Sequence, residues 1–339
     1  MKPKFVPVLR TALLFICALS LLSFGVAAVA QDAKKDEKPA QISDGEKQAI
    51  DKINKAATPA EKVKLSGDYV KKYGKSPMRN RIAGFVGNAV ASVNDYPQRL
   101  SLSENYLKVF NLPEEANYVK PGVIEAYLNL NKFDEALKES DAFLQKNPDD
   151  VVVHVQLAWA AADQLQKQSA TPKLLQAGTS SATKAVELME QDKKPEWMTP
   201  ENWNNYRNSW LARLYLANGM ILLANKDKVK AKESFEKSVG IDSYDPATLL
   251  QLVNLTNEEY QDLAKKYQTE KKAEQLDAAL AKMDEMIDWL ARAVAATEGN
   301  AQTQQLNQQL RENLKAYFEF RNNGKTDGMN ALVEKYKKK

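Results

Sequence analysis

The sequence predicts an all-α protein, and three observations support this. Helix-start signals recur, in which a Ser, Thr or Asp N-cap precedes a proline or a glutamate three residues on; they occur at Ser43, Thr58, Thr199 and Asp245. Glycine or proline ends the helical stretches, at Gly74, Pro77, Pro148, Gly299 and Gly324. The best run of β-branched residues, 151–155, leads directly into an alanine-rich helical segment, so no strand is predicted.

The first 30 residues have the three parts of a secretory signal peptide. Lys2, Lys4 and Arg10 precede an uncharged run, residues 11–30, which ends in Ala28-Val29-Ala30. We predict cleavage after Ala30 and export to the periplasm or the extracellular space. An uncleaved membrane anchor is the alternative, because about 20 uncharged residues can span a bilayer.

Charge and cysteine content exclude several classes of function. Residues 31–42 are predicted to form a flexible charged tether, because residues 31–41 carry six charges in eleven positions. The full chain has 48 Lys and Arg against 44 Asp and Glu. Loss of the leader with its three basic residues leaves a net charge near +1, which predicts no nucleic-acid partner. Cys17 is the only cysteine and lies in the leader, so the mature chain has neither disulfides nor thiolate metal sites.

A helical repeat is clearest in residues 117–150. Tyr127 lies in its first helix, Ala136 follows nine residues later, and Pro148 comes twelve residues after that. This spacing resembles that of a tetratricopeptide repeat. The resemblance implies that the small Ala136 lets the two helices of a hairpin approach closely, while Tyr127 and Phe133 fill the wedge between them.

Other segments repeat this pattern with departures. Residues 215–242 match best, through Tyr215, Gly219, Ala231 and Phe235. Residues 80–110, which include Gly87, match less well, because Arg99 stands where the family has alanine; residues 154–190 carry a long insertion around 168–181. The resemblance implies a right-handed α-solenoid of helical hairpins over residues 43–339, clearest over 80–242, with a longer-helix C-terminal cap over 245–339.

A heptad seam runs through the predicted cap. Its apolar residues are Leu276, Leu280, Met283, Ile287, Leu290 and Val294. One interpretation is a coiled-coil homodimer. We favour packing within a monomer, because the next helix has a matching stripe of Leu306, Leu310, Leu314 and Tyr317. A last short helix, residues 329–336, is predicted to shield the end of the array.

The sequence contains no convincing catalytic or metal site. His154 is the only histidine and is interpreted as a helix-interface residue. Acidic pairs at 114–115, 149–150 and 258–259 could act in acid–base chemistry, but adjacent residues on a helix do not face one another. We expect these pairs at helix starts, where carboxylates favour the dipole. Gly84 and Gly87 follow no strand, so they form no phosphate loop. We predict no enzyme, no cofactor and no bound metal.

The resemblance also indicates a binding surface, because first helices of successive hairpins line a concave groove. The family's groove positions fall on Arg81, Asn88, Val155, Trp159, Arg213 and Met220. Val155 and Trp159 interrupt the lysine and asparagine clamp by which co-chaperone members hold a terminal carboxylate, so such a clamp is not expected.

An aromatic segment is a second candidate surface. It contains Trp197, Trp203, Tyr206 and Trp210, of which the last three share one helical face. Aromatic residues at this spacing are more often core than surface, and both interpretations stay open. The leading expectation is a non-catalytic scaffold of the cell envelope that binds a protein or peptide. The alternative is a structural component that self-assembles through the heptad seam.

Overall fold

The computed structural model of the protein describes residues 42–195 and 198–338, and every regular element among them is a helix. The prediction of an all-α protein is therefore confirmed for this part of the chain. The predicted leader, the predicted tether except for Ile42, and Trp197 lie outside the described residues.

The described residues form two compact units, and the division between them falls within a single helix. The N-terminal unit comprises residues 42–210 and the C-terminal unit residues 211–338. The helices of the N-terminal unit are α1 (Asp44–Lys55), α2 (Pro59–Tyr73), α3 (Arg79–Ala91), α4 (Tyr96–Val109), α5 (Pro113–Ala116), α6 (Lys120–Asn129), α7 (Phe133–Leu144), α8 (Val151–Gln166), α9 (Pro172–Glu190) and the first part of α10 (Pro200–Ala224).

The C-terminal unit begins in the second part of α10 and has longer helices. It continues with α11 (Lys228–Ile241), α12 (Pro246–Glu270), α13 (Ala273–Thr297), a 3-10 turn (Ala301–Thr303), α14 (Gln304–Arg321) and α15 (Met329–Lys335). The predicted last short helix is thus present.

The four predicted helix starts are confirmed. In each case the side chain of Ser43, Thr58, Thr199 or Asp245 accepts a hydrogen bond from a backbone N–H of the first helical turn. Such caps arise from residues two or three positions apart, which is why the sequence alone identifies them.

Glu46 departs from the predicted capping box at Ser43. Its carboxylate turns into the interior, where it accepts hydrogen bonds from the hydroxyls of Tyr69, at 2.9 Å, and Ser76. Two donors offset the cost of burying a carboxylate. Burial, together with the neighbouring Glu46, raises the pKa of Tyr69 to about 12, although the contact with Ser76 opposes this shift.

Helices of the N-terminal unit pair with their neighbours in the chain. Helices α1 and α2, α3 and α4, α6 and α7, and α8 and α9 pack together as hairpins. The first helices of the last three hairpins, α3, α6 and α8, are also neighbours in space, because α6 contacts both α3 and α8. This order places α3, α6 and α8 in one layer.

Small residues allow these helices to approach closely. Ala136 is fully buried in α7, as predicted. In α9, a Cβ added at Gly178 would overlap the Cβ of Ala161 in α8. The sequence placed an insertion around residues 168–181, but residues 172–181 are the first half of α9. The insertion therefore lengthens α9, and Gly178 lies where α9 crosses α8.

The C-terminal unit buries the heptad seam within the chain. Met283, Ile287, Leu290 and Val294 are buried, whereas Leu276 and Leu280 near the start of α13 are half-buried. Helix α13 packs on α14, as predicted, and also on α12 and α15. Leu306, Leu310 and Leu314 of α14 belong to the same core. Most of the seam therefore has its partners within one chain.

The repeat-defining residues of segment 215–242 pack closely, whereas in segment 117–150 Tyr127 is half-buried and Pro148 is exposed. Ala231 and Phe235 are fully buried in α11, and a Cβ added at Gly219 would lie less than 3.0 Å from three atoms of the Phe235 ring. Gly219 is therefore the crossing point of α10 and α11 in the C-terminal unit.

Candidate functional site

The six predicted groove residues have different environments. In α3, Arg81 is exposed and Asn88 is half-buried. In α8, Val155 is only 1% exposed, so its assignment to a groove is wrong. The first half of α8, residues 151–158, is buried at every position and so on every side of the helix. Val155 is consequently core.

Trp159 directly follows this buried stretch and is half-buried. Its ring meets the ring of Trp210 edge-on, with the centroids 5.8 Å apart. Arg213 and Met220 belong to the C-terminal unit, where both are half-buried and Met220 packs against the core. Arg81 of α3 is thus the most open member of the predicted set.

Phe85 adds an apolar group to the open face of α3. Arg81, Phe85 and Asn88 follow the spacing of four and three residues that aligns side chains on one helical face. The Phe85 ring is 41% exposed, which is unusual for a large apolar side chain in this protein. Sequence analysis missed it, although the run Arg81, Phe85, Asn88 carried the required spacing.

Two side chains from other elements flank this face. The Lys62 ammonium of α2 lies 4.8 Å from the centre of the Phe85 ring and also donates to the carbonyl oxygens of Ile53 and Asn54, both at 3.1 Å. On the other side, Tyr118 packs against the glycines of α3. We call Lys62, Arg81, Phe85, Asn88 and Tyr118 together the α3 surface.

Glycine in α3 is what makes room for Tyr118. A Cβ added at Gly87 would lie 2.6 Å from the Cβ of Tyr118, and one at Gly84 would lie 3.2 Å from its ring. The Tyr118 hydroxyl can then donate to the Asn80 Oδ1 at 3.3 Å. Gly87, predicted as a repeat-defining residue, therefore also shapes the α3 surface.

The aromatic residues of α10 form a row, as their spacing predicts. Trp203 stacks on Tyr206 at a centroid distance of 6.3 Å, and Tyr206 meets Trp210 at 6.2 Å. Trp203 is buried, and its Nε1 donates to the Asp192 Oδ1 at 2.7 Å. The row runs from core at Trp203 to half-buried positions at Tyr206 and Trp210. Packing is its main role.

His154 joins two helices through its ring nitrogens. Nε2 lies 2.9 Å from the carbonyl oxygen of Pro148, which can only accept, so Nε2 carries the proton. Nδ1 lies 3.3 Å from the Ser181 Oγ and accepts from that hydroxyl. Burial lowers the pKa of His154, although the Pro148 carbonyl opposes the shift. The predicted interface role fits this geometry.

The acidic pairs have structural partners. Asp150 caps α8, accepting from the Val153 N–H at 3.0 Å, and Asp149 forms ion pairs with Lys184 and Lys193. The prediction that all three pairs lie at helix starts is wrong for Glu258 and Glu259, which lie inside α12. The residue spacing alone does not show that this pair lies in the middle of a helix, because that depends on how far α12 extends.

Helix α12 carries these two carboxylates to basic residues on its neighbours. Glu259 lies 3.0 Å from the Lys232 Nζ and 2.8 Å from the Lys282 Nζ, and Glu285 pairs with both lysines. Burial alone would lower the pKa of Lys282, but hydrogen bonds to Glu259 and Glu285 raise it above its ordinary value. This network ties α11, α12 and α13 together.

A buried ion pair replaces the alanine that the repeat pattern expects in α4. Arg99 is fully buried, and its Nη1 donates to the Glu125 Oε2 of α6 at 2.7 Å. Its Nε donates to the Val93 carbonyl oxygen, also at 2.7 Å. A charged side chain thus connects the α3–α4 hairpin to the α6–α7 hairpin.

A second ion pair holds the short helix α5. The Arg79 guanidinium donates to both carboxylate oxygens of Glu115, at 2.6 and 2.9 Å, and Glu115 also accepts from the Leu112 N–H at 2.9 Å. Glu115 is fully buried. Its charge is therefore balanced inside the protein and is not available for chemistry.

Neither a metal-binding cluster nor a membrane-spanning helix occurs in the part of the chain that the structure describes. Within residues 42–195 and 198–338, no three His, Cys, Asp or Glu side chains converge where they could hold a metal ion. None of the described helices is both long and apolar enough to cross a membrane. No family model matches the chain, and no curated protein matches it.

Proposed function

We propose that this chain is an exported, non-catalytic scaffold whose N-terminal unit binds a protein or peptide on its first helices. The proposal includes a tetratricopeptide-like solenoid, cleavage of the leader after Ala30, and a monomeric chain. The hairpin order of the N-terminal unit supports the repeat architecture, because α3, α6 and α8 follow one another as neighbours.

The α3 surface is the observation that carries this proposal. It combines an exposed aromatic ring, Phe85, with an exposed guanidinium, Arg81, and a half-buried amide, Asn88. Aromatic and arginine side chains dominate the energy of protein interfaces, because they bury large area and form directional hydrogen bonds. In the same unit Glu115, Asp149, Asp150 and His154 are held by structural partners instead.

Self-assembly through the heptad seam has less support. Four of its six residues are buried against other helices of the same chain, so a second copy could reach them only after unfolding of the C-terminal unit. Light scattering of the purified mature chain separates the two functions, since the scaffold is expected at the monomer mass.

Partner capture tests the proposal directly. The mature chain is immobilised and exposed to an envelope extract of its source organism, and captured proteins are identified by mass spectrometry. We expect Phe85→Ser to abolish capture of at least one protein without a change in melting temperature. Phe320→Ser is the matched control, because Phe320 is 52% exposed and lies in the C-terminal unit. Equal capture by wild type, Phe85→Ser and Phe320→Ser would refute the proposal.

A further inference from the structure

From the charges around Phe85, we infer that the α3 surface binds an acidic peptide segment that carries an aromatic or leucine side chain. This inference rests on the proposed scaffold function and names the class of its ligand. Three features of the surface point to it, namely its excess of positive charge, an uncommitted guanidinium, and an accessible aromatic ring beside both cations.

The segment that contains α3 is basic and has no acidic residue. Residues 75–94, which include all of α3, contain Lys75, Arg79 and Arg81 but no Asp or Glu. The first turn of α3 therefore has basic residues where the helix dipole is already positive and where carboxylates are usually found. An external carboxylate would relieve this unfavourable arrangement.

Neighbouring residues neutralise only part of this charge. Arg79 is paired with Glu115, and the Lys62 ammonium is held by two backbone carbonyls, which carry no full charge. Arg81 is exposed and forms no hydrogen bond or ion pair with another described residue. Two exposed carboxylates belong to neighbouring elements, Glu61 beside Lys62 in α2 and Glu114 in α5, and Glu61 accepts a hydrogen bond from the Ala57 N–H at 3.1 Å. Lys62 and Arg81 thus leave the surface with a net positive charge.

The ligand needs an apolar side chain as well as acidic groups. The exposed Phe85 ring lies against the Lys62 ammonium and one turn from Arg81, so a ligand side chain covering it would bring backbone and flanking carboxylates within reach of both cations. Tyr118 borders the opposite side of α3, and Asn88 supplies both a donor and an acceptor for a peptide backbone. A fully polar acidic ligand would leave Phe85 exposed to water.

Three fluorescent six-residue probes distinguish this ligand class from others. The first, Asp-Glu-Phe-Leu-Glu-Asp, has acidic and apolar groups; the second replaces Phe-Leu by Ser-Ser; the third replaces every acidic residue by lysine. Anisotropy titrations of the mature wild-type chain are expected to show at least tenfold tighter binding of the first probe than of the other two. Raising the salt concentration from 50 to 500 mM should weaken that binding several-fold, since exposed charges are screened.

Variants test whether binding occurs at this surface. Arg81→Glu and Phe85→Ala are each expected to weaken binding of the first probe at least tenfold. Lys325→Glu makes the same charge change at an exposed position of the C-terminal unit and should leave binding unchanged. Lys62 is left intact, because it also holds the end of α1. Circular dichroism confirms that each variant is folded.

Several outcomes would overturn the inference. They are the absence of binding of the first probe at 1 mM, equal binding of the lysine probe, and unchanged binding by Arg81→Glu. Phe85-dependent binding to vesicles of phosphatidylglycerol without peptide binding would identify a membrane surface instead. If Phe85→Ser lost a captured partner that Arg81→Glu still captured, the acidic ligand would be refuted but the scaffold function would stand. If the wild-type chain captured no partner, the scaffold function itself would be refuted.

Discussion

Replacing Arg99 by methionine is expected to destabilise the N-terminal unit by about 3–5 kcal/mol, because it leaves the Glu125 carboxylate in the core without its guanidinium partner. Both side chains are almost completely buried, with exposures of 1% for Arg99 and 6% for Glu125. Water therefore cannot replace the lost partner without opening the packing between α4 and α6.

The magnitude follows from two hydrogen bonds and one buried charge. Two bonds would be lost, the charge-assisted bond from Nη1 to Glu125 and the bond from Nε to the Val93 carbonyl oxygen. The cost of about 3–5 kcal/mol for removing one partner of a buried pair already includes these losses and the desolvation of the carboxylate that remains.

Replacing both partners should behave very differently. The double variant Arg99→Met/Glu125→Met leaves no buried charge and keeps a similar side-chain volume, so its stability is expected within about 1 kcal/mol of wild type. The Nη2 of Arg99 has no hydrogen-bond partner among the described residues, and this existing cost also disappears. The two substitutions should therefore be strongly non-additive.

Urea unfolding followed by tryptophan fluorescence measures this effect. Four of the five tryptophans lie between residues 159 and 210, so the signal reports mainly on the N-terminal part of the chain. With a slope of about 3 kcal/mol/M, the single variant should lower the midpoint by about 1–1.7 M. A single variant within 1 kcal/mol of wild type, or a double variant as unstable as the single one, would refute this account of the pair.

Three further predictions follow from other parts of the molecule. Gly219→Ala should destabilise the protein by about 1–2 kcal/mol, because the new methyl group would overlap the Phe235 ring. In the control Gly240→Ala the added Cβ meets no atom within 4 Å, so this variant should be neutral or slightly stabilised, and equal midpoints of the two variants in thermal denaturation would contradict the assigned crossing point. Burial lowers the pKa of His154 below its ordinary value of 6.5, so the unfolded chain binds a proton at this residue more readily than the folded chain does. Wild type should therefore lose stability relative to His154→Gln as the pH falls below about 6.5, and a stability difference that stays constant between pH 7.5 and 5 would contradict this. Mass spectrometry of the protein accumulated in its source organism should find Gln31 as the first residue, and an intact leader on that protein would refute cleavage.

Much of the fold could be predicted from the sequence because its signals are local. Helix caps join residues two or three positions apart, and helical periodicity spans only a few turns, so the starts at Thr58 and Asp245 and the last short helix were identified correctly. The small residues Ala136 and Gly219 were also recognised, since the repeat pattern specifies their spacing. These features need no knowledge of what lies across the helix interface.

The candidate site could be predicted only in part. Arg81 and Asn88 were predicted as groove residues, and they lie on the same face of α3 as the exposed Phe85. Phe85 was missed, because an apolar residue in a helical pattern is normally assigned to the core. Val155 was assigned to a groove, yet the first half of α8 is covered on all sides. Exposure depends on which other segments pack against a helix, and no short sequence window contains that information.

The sequence by itself determined the helical class, several helix starts and stops, and the absence of cysteine and near-neutral charge of residues 31–339, because each depends on residue type or on neighbours within a few positions. The tertiary structure decided which polar groups are buried and which apolar ones are open. Arg99 and Glu125 are 26 residues apart, and Glu46 and Ser76 are 30 apart. Such pairs form only when packing brings distant segments together and removes the water that would otherwise solvate each charge.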